Sequence, residues 1–369
     1  MRNLAFALLL CVTDSAPSFA QSTPASNDAA WSFGGFADLA YLFDTNRPVN
    51  HETRSRGTAW RVNEPAFNIA GLSVATDRRR PWRGELIMHA GRDAEKFAFS
   101  PTAPNLKGSA WLRHVGRASA SYEVSPALRI QGGIFSSLIG YDSLYAKDNL
   151  HYTRPWTADF TPYVMMGANA AWQITDKVSF TPFVVNGYWH LAAANHVRSG
   201  GMQISFARSA QVTIKQTVMI GPHQAETSAG LWRILSDTIA ERKWSHGLVA
   251  INAQVASERV DENGRPRAWW VAAQVPMAWS IAPRWRLAVR PEAAWDSRAR
   301  FTGFEQTVVA LTGTADFRIE NHGVVAILRT ETSHTRSRGP GGGFFTPEPG
   351  VLTPSQHLFL VSLLVSFGN

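Results

Sequence analysis

From about residue 31 onward the chain changes polarity at every second position, in segment after segment. In RWRLAVRPEAAWDS, Arg284, Arg286, Arg290, Glu292 and Asp296 share one parity, while Trp285, Leu287, Val289, Ala293 and Trp295 share the other. A repeat of two places the two sets on opposite faces of a pleated strand. The fold is therefore expected to be all-β, each strand having one wet and one oily face.

The pattern predicts strands at 30–43, 66–76, 82–91, 109–123, 127–136, 161–174, 178–188, 200–208, 211–220, 229–241, 245–258, 267–281, 284–297, 303–319, 323–334 and 355–367, about sixteen in all. Even-numbered strands are followed by tight links such as DRRRP, SPA, TDK and ENH. Odd-numbered ones are followed by long links rich in Gly, Pro, Asn and charge, among them 44–65, 92–108, 137–160 and 335–354. A soluble sandwich has no reason to alternate loop length by parity along its whole chain. An outer-membrane barrel does, with short periplasmic turns and long extracellular loops. Most of the runs also reach the ~9–11 tilted residues that cross a bilayer. The expected fold is thus a closed antiparallel transmembrane β-barrel of about sixteen strands.

Although 45% of the chain is apolar and 17% charged, no stretch after the N-terminus approaches the ~20 uninterrupted apolar residues of a membrane helix. The tail HLFLVSLLVSFGN is expected to be a closing strand. Phe359, Val361, Leu363, Val365 and Phe367 form its lipid parity, and pairing with WSFGGFADLAYLFD leaves no open edge in hydrocarbon.

The first residues, MRNLAFALLLCVTDSAPSFAQS, combine Arg2, an apolar run and small residues at Ser18 and Ala20. This reads as a signal peptide over 1–20, followed by a short segment over 21–29 and the barrel over 30–369. The single cysteine, Cys11, falls in the signal, so the exported chain needs no disulfide. The formal net charge of +8 points, in an exported chain, to anionic lipid headgroups or anionic solutes rather than nucleic acid.

Several phrases resemble the β-barrel porin-2 family of OmpL-like outer-membrane proteins. They are Gly35, Asp38 and Tyr41 in the first strand, Pro65 to Ala70 in the second, and Gly91-Arg92-Asp93 at the end of the third. The block FSSLIGYDSLYAKDNLHYTRPW follows, with TPYVMMGA and VVNGYW after it. Within the block, Ile139-Gly140-Tyr141, Asn149, Tyr152 and Arg154 match the family pattern, and Asp142 stands where glutamate is more usual. The resemblance spans nearly the whole mature chain and implies a porin-like barrel. Resemblance to outer-membrane proteins also implies a terminal aromatic residue read by the barrel-assembly machinery, a pattern from which this chain departs, since Phe367 stands third from the end.

The link 137–160 is the expected functional element, since a link of this length without secondary structure is uncommon unless it has a role. By analogy with general porins it would fold into the lumen, with Tyr141, Asp142, Lys147, Asp148, Arg154 and Asp159 forming a constriction. Arg113, Arg117, Arg129, Arg284, Arg286, Arg290 and Arg329 sit on wet parities and would line the lumen, giving a weak anion preference tempered by Glu292, Asp296 and Glu331. The fourteen tryptophans, Trp269, Trp270 and Trp285 among them, are expected in the aromatic girdles at the two interfaces. The eleven histidines lack metal-ligand spacing, and no motif implies a cofactor.

The expected function is a non-enzymatic porin-like channel in the outer membrane, passing small hydrophilic solutes by diffusion. Assembly as a homo-trimer is expected by analogy with barrels of this strand number. Two alternatives stay open: a non-conducting structural or adhesive barrel, and a barrel-embedded hydrolase using residues such as Ser143 and His151, for which no Gly-x-Ser-x-Gly elbow is present.

Overall fold

The structure, a computed structural model, describes residues 31–76, 81–96, 109–188, 197–222, 230–261 and 266–368. The expected signal peptide over 1–20, the segment over 21–29 and most of the tight link DRRRP lie outside the described residues.

The strands are β1 (Trp31–Asp44), β2 (Pro65–Thr76), β3 (Trp82–Ala90), β4 (Val115–Ser125), β5 (Leu128–Ser136), β6 (Val164–Thr175), β7 (Val178–Val185), β8 (Ser199–Ser209) and β9 (Val212–Pro222). They continue as β10 (Trp232–Trp244), β11 (Gly247–Glu258), β12 (Ala268–Gln274), β13 (Met277–Ala282), β14 (Trp285–Asp296), β15 (Gln306–Asn321), β16 (Val324–Arg338) and β19 (Ser355–Phe367). A two-residue hairpin, β17 (Phe344–Phe345) with β18 (Leu352–Thr353), decorates the last long link. Two one-turn helices, α1 (Arg92–Lys96) and α2 (Trp156–Asp159), sit in the second and third long links.

Each strand pairs antiparallel with its neighbour, and β19 pairs with β1 from Gly35↔Phe367 to Asp44↔Leu358. That seam closes the sheet. β12 and β13 are two pieces of one stave, since both pair with β11 and with β14. The count of staves is therefore sixteen. The expected strand 267–281 is interrupted because Pro276 offers no N–H to the ladder, while its carbonyl accepts from Ala250 N at 2.9 Å. The expected strand 109–123 likewise starts late: Ser109–His114 forms a 3₁₀ turn, held by the His114 ring on His89 O at 3.1 Å.

The faces follow the parity. On β19, Phe359, Val361, Leu363 and Phe367 are exposed, whereas Gln356, Leu358, Leu360, Ser362 and Leu364 are buried. With no water to bury them from, the outward side chains are at home only against lipid. Exposed aromatics gather near the strand ends: Trp31, Trp82, Trp172, Trp244 and Trp285 at the turn end, and Tyr41, Phe67, Trp269 and Trp295 at the long-link end. Trp270 departs from the expected girdle. Its parity is inward, it is fully buried, and it stacks on Phe301 at 5.7 Å.

Candidate functional site

The link between β5 and β6, residues 137–163, runs inside the barrel. Its path is fixed by polar groups that the strands turn inward. Leu138 O accepts from Gln203 of β8 and Thr217 of β9, both at 2.7 Å. Gly140 N donates to Asp237 of β10 at 3.0 Å, and its φ of 86° makes a left-handed turn that only glycine adopts at no steric cost. Tyr141 then reaches Glu241 at 2.7 Å, and Asp142 accepts from Gln274 of β12 at 2.6 Å.

On the far side of its path the link meets β14, β15 and β16. Tyr152 N and Thr153 N donate to the Glu331 carboxylate at 2.6 and 3.0 Å. Arg290 donates to Thr153 O at 2.7 Å, and Arg329 to Ala146 O and Asn149 O at 3.0 and 2.9 Å. Trp156 N donates to Glu292 at 2.7 Å, while His151 Nδ1 meets Thr314 Oγ1 at 2.7 Å. The Tyr152 hydroxyl donates to Asp38 of β1 at 2.6 Å and accepts from Asn68 of β2. Tyr145 approaches His89 of β3 at 2.9 Å, passing so close to Gly116 that a Cβ there would collide with its hydroxyl. The bonds span the lumen in several directions.

Apolar contacts complete the packing. Trp156 stacks on Phe160 at 5.4 Å, Phe160 meets the edge of Trp270 at 5.9 Å, and Arg233 lies over Phe301 at 4.2 Å. Leu150 packs on Leu248, Ala278 and Ala288. On this side of the barrel the interior is a dry core.

Of the residues expected at a constriction, Tyr141, Asp142, Arg154 and Asp159 are held by bonds across the lumen or to other loops, and Lys147 and Asp148 pair with each other at 2.7 Å. Burial raises the Asp142 carboxyl above its ordinary range, partly offset by Arg290. Burial also pushes the His151 ring well below its ordinary value, with Arg290 and Arg329 adding to the effect. Arg154 donates to Tyr152 O at 2.7 Å and to Leu144 O. It stands 4.0 Å from Asp93, whose carboxyl burial lifts to about 7.

The expected lumen arginines divide into four groups. Arg290 and Arg329 are fully buried and face Glu292 and Asp316. Arg286 shares Asp316 with Arg329 and remains partly exposed. Arg117 pairs with Glu85 at 2.8 Å on a wetter wall, where Arg129 also faces inward. Arg113 lies in the 3₁₀ turn and Arg284 in the tight link before β14, so neither belongs to a strand face. Asp296 accepts from the backbone N–H groups of Phe301 and Thr302 at 3.0 and 2.8 Å, fixing the link that follows β14.

The link 45–64 was not singled out from sequence, yet it covers residues 137–163 from the long-link end. Thr58 donates to Asp159 at 2.8 Å, Arg56 donates to Arg154 O at 3.0 Å and lies over the Trp156 ring, and Ala59 N donates to Asp93 at 2.8 Å. Arg54 donates to Gly341 O and Gly343 O at 2.8 and 2.9 Å, tying this cover to the last long link. Burial raises the Asp159 carboxyl, against the pull of Arg56. Five residues of this link, Arg47, His51, Ser55, Ala59 and Asn63, have positive φ without being glycine. Such a concentration is costly and persists only where surrounding contacts impose it. The one signal in the sequence was Gly91-Arg92-Asp93, whose aspartate proves to be an anchor.

No curated protein matches the chain in sequence. Solved structures share its fold at low identity. An anion-selective porin from Comamonas acidovorans is 9% identical with a TM-score of 0.60, over 91% of this chain and 99% of that one. The outer membrane channel DcaP of Acinetobacter baumannii is 11% identical with a TM-score of 0.58, over 91% and 96%. OmpT of Vibrio cholerae in its trimer form is 9% identical with a TM-score of 0.54, over 91% and 99%. At family level the match is direct, covering residues 31–367. The chain belongs to the family described as "Putative beta-barrel porin-2, OmpL-like".

Proposed function

We propose that this porin-type barrel is an outer-membrane channel for passive diffusion of small hydrophilic solutes, with residues 137–163 setting its narrowest passage. The observation that supports the reading is the set of hydrogen bonds tying this segment to inward-facing residues of β1, β8, β10, β12, β14 and β16. A segment held from several sides narrows a water-filled path without closing every side of it, and charged groups on its rim bias what enters. A weak anion preference belongs to the same reading. Arg286 and Arg329 share the single carboxylate of Asp316, so this cluster carries an excess positive charge at the edge of the segment. Trimeric assembly is supported by the trimer form of a similar barrel.

The test is single-channel conductance of the refolded chain in a planar bilayer under a salt gradient, beside Glu331→Ala and Arg286→Glu. Small ohmic openings are expected for the wild type, larger ones for Glu331→Ala, and a loss of anion preference for Arg286→Glu. A wild type and a Glu331→Ala variant that both insert and stay silent would defeat the channel reading. That outcome would favour a second one, a structural barrel with a closed lumen, for which the apolar packing of Trp156, Phe160, Trp270 and Phe301 speaks.

A further inference from the structure

The lipid-facing wall carries charge at one place on the β16–β19 pair. His334, Arg336 and Arg338 share the outward parity of β16, and His357 faces outward from β19; all four are exposed. His334 and His357 are directly paired in register, and their rings lie 4.1 Å apart, tilted by 31°. One outward pair nearer the membrane centre stand Thr332 and the exposed Phe359. On the adjacent strand, exposed Leu311 and Val309 are the register partners of His334 and Arg336. The cluster thus sits where the apolar wall gives way to the extracellular surface.

An outward cation is expensive at the bilayer midplane and nearly free at its edge, where lipid headgroups can answer its charge. Among the described residues none of the four forms an ion pair with a carboxylate. Two guanidinium forks offer the bidentate geometry that phosphate oxygens accept, and two adjacent imidazoles add donors at the same level. Phe359 beneath, with Leu311 and Val309 alongside on the neighbouring strand, supplies a surface for acyl chains. Charge above and grease below describe one ligand chemistry, a lipid bearing phosphate.

We propose that His334, Arg336, Arg338 and His357 bind the phosphate of an outer-leaflet lipid whose acyl chains lie against Leu311 and Phe359. The proposal requires only that the barrel sits in an outer membrane, and it is independent of whether the lumen conducts.

The experiment uses the refolded barrel in nanodiscs of phosphatidylcholine with a minor fraction of phosphatidic acid, and reads retained lipid by mass spectrometry of the intact complex. Wild type should enrich phosphatidic acid. R336Q/R338Q should lose that enrichment roughly thirtyfold, since each cation at an anionic headgroup layer contributes about fivefold, while R336K/R338K should keep most of it. R242Q, at an exposed outward position of β10 near the turn end, should leave it unchanged. Excess inorganic phosphate should fail to displace the lipid. Equal retention by wild type and R336Q/R338Q, an equal loss in R242Q, or full displacement by inorganic phosphate would overturn the proposal. Should R336Q/R338Q lose its heat-modifiable gel mobility and so fail to fold, a wild type that prefers neither lipid would overturn it alone.

Discussion

Two stretches of the inner wall carry the same alternation of charge and yet behave differently. On β3 and β4, Arg117 pairs with Glu85 and Arg83 with Glu123, with the carboxylate side chains 32% and 39% exposed. On β14 to β16, Arg290 pairs with Glu292 and Arg329 with Asp316, and every one of these side chains is at most 4% exposed. Residues 137–163 make the difference: they cover Arg290, Glu292 and Arg329 directly, whereas on the first wall they reach His89 and Gly116 toward the long-link end and leave the pairs nearer the turn end partly open to water. An exposed pair contributes little, whereas a charge stranded in a dry place is expensive. Identical sequence patterns therefore have opposite energetic weight on the two walls.

The sharpest way to break this comparison is to remove one partner on each wall. Arg290→Ala strands Glu292 and frees Thr153 O, and should cost about 3–5 kcal/mol in the barrel's unfolding free energy, read by urea titration in lipid vesicles. Trp270→Ala, which opens a cavity beside Phe160 and Phe301, should cost about 3 kcal/mol or somewhat more. Trp285→Ala, on the lipid face, should cost clearly less, and an equal cost would mean that Trp270 is not packed as described.

A pH effect ranks next. Burial lifts the Asp93 carboxyl from 3.8 to about 7 against the nearby Arg154, with Asp38 and Asp159 adding to the rise. The protonated form is thus favoured in the folded cover. Ionisation destabilises that cover progressively as pH rises from about 4 to about 7, and the cost is complete above that range. The heat-modifiable gel transition should therefore lie higher at pH 5 than at pH 8, and Asp93→Asn should remove much of the difference. A difference that survives the substitution intact would place its origin elsewhere. The smallest effect belongs to the wet wall: Arg117→Ala should change unfolding by about 1 kcal/mol or less, and high salt should erase what remains.

The barrel itself was legible because parity and link length are local properties. A reader of WRLAVRPEAAWDS can assign Arg290 and Glu292 to the inner face. What parity cannot say is whether the space facing them holds water or protein, since Arg290 meets Thr153 across 137 positions of sequence. The same limit hid Trp270, whose neighbour Trp269 does face lipid as the pattern implied. The break at Pro276 was visible as a proline, but alternation on either side kept its phase and masked it. The cover formed by 45–64 left no periodic trace, because its contacts join side chains and backbone groups of distant loops through left-handed turns that no repeat announces.

The seam between β1 and β19 has a consequence for time as well as space. Anchors of the inner segment on Glu331 and Arg329 lie 178 to 183 positions away, on the last barrel strand before the closing one. Until the second half of the chain has arrived, residues 137–163 can meet Asp38, Asn68 and His89 but lack Glu331, Arg290 and Arg329. Contacts so distant in sequence form slowly. The interior of this barrel is thus expected to settle late in its assembly, once the strands that supply its distant anchors have joined the wall.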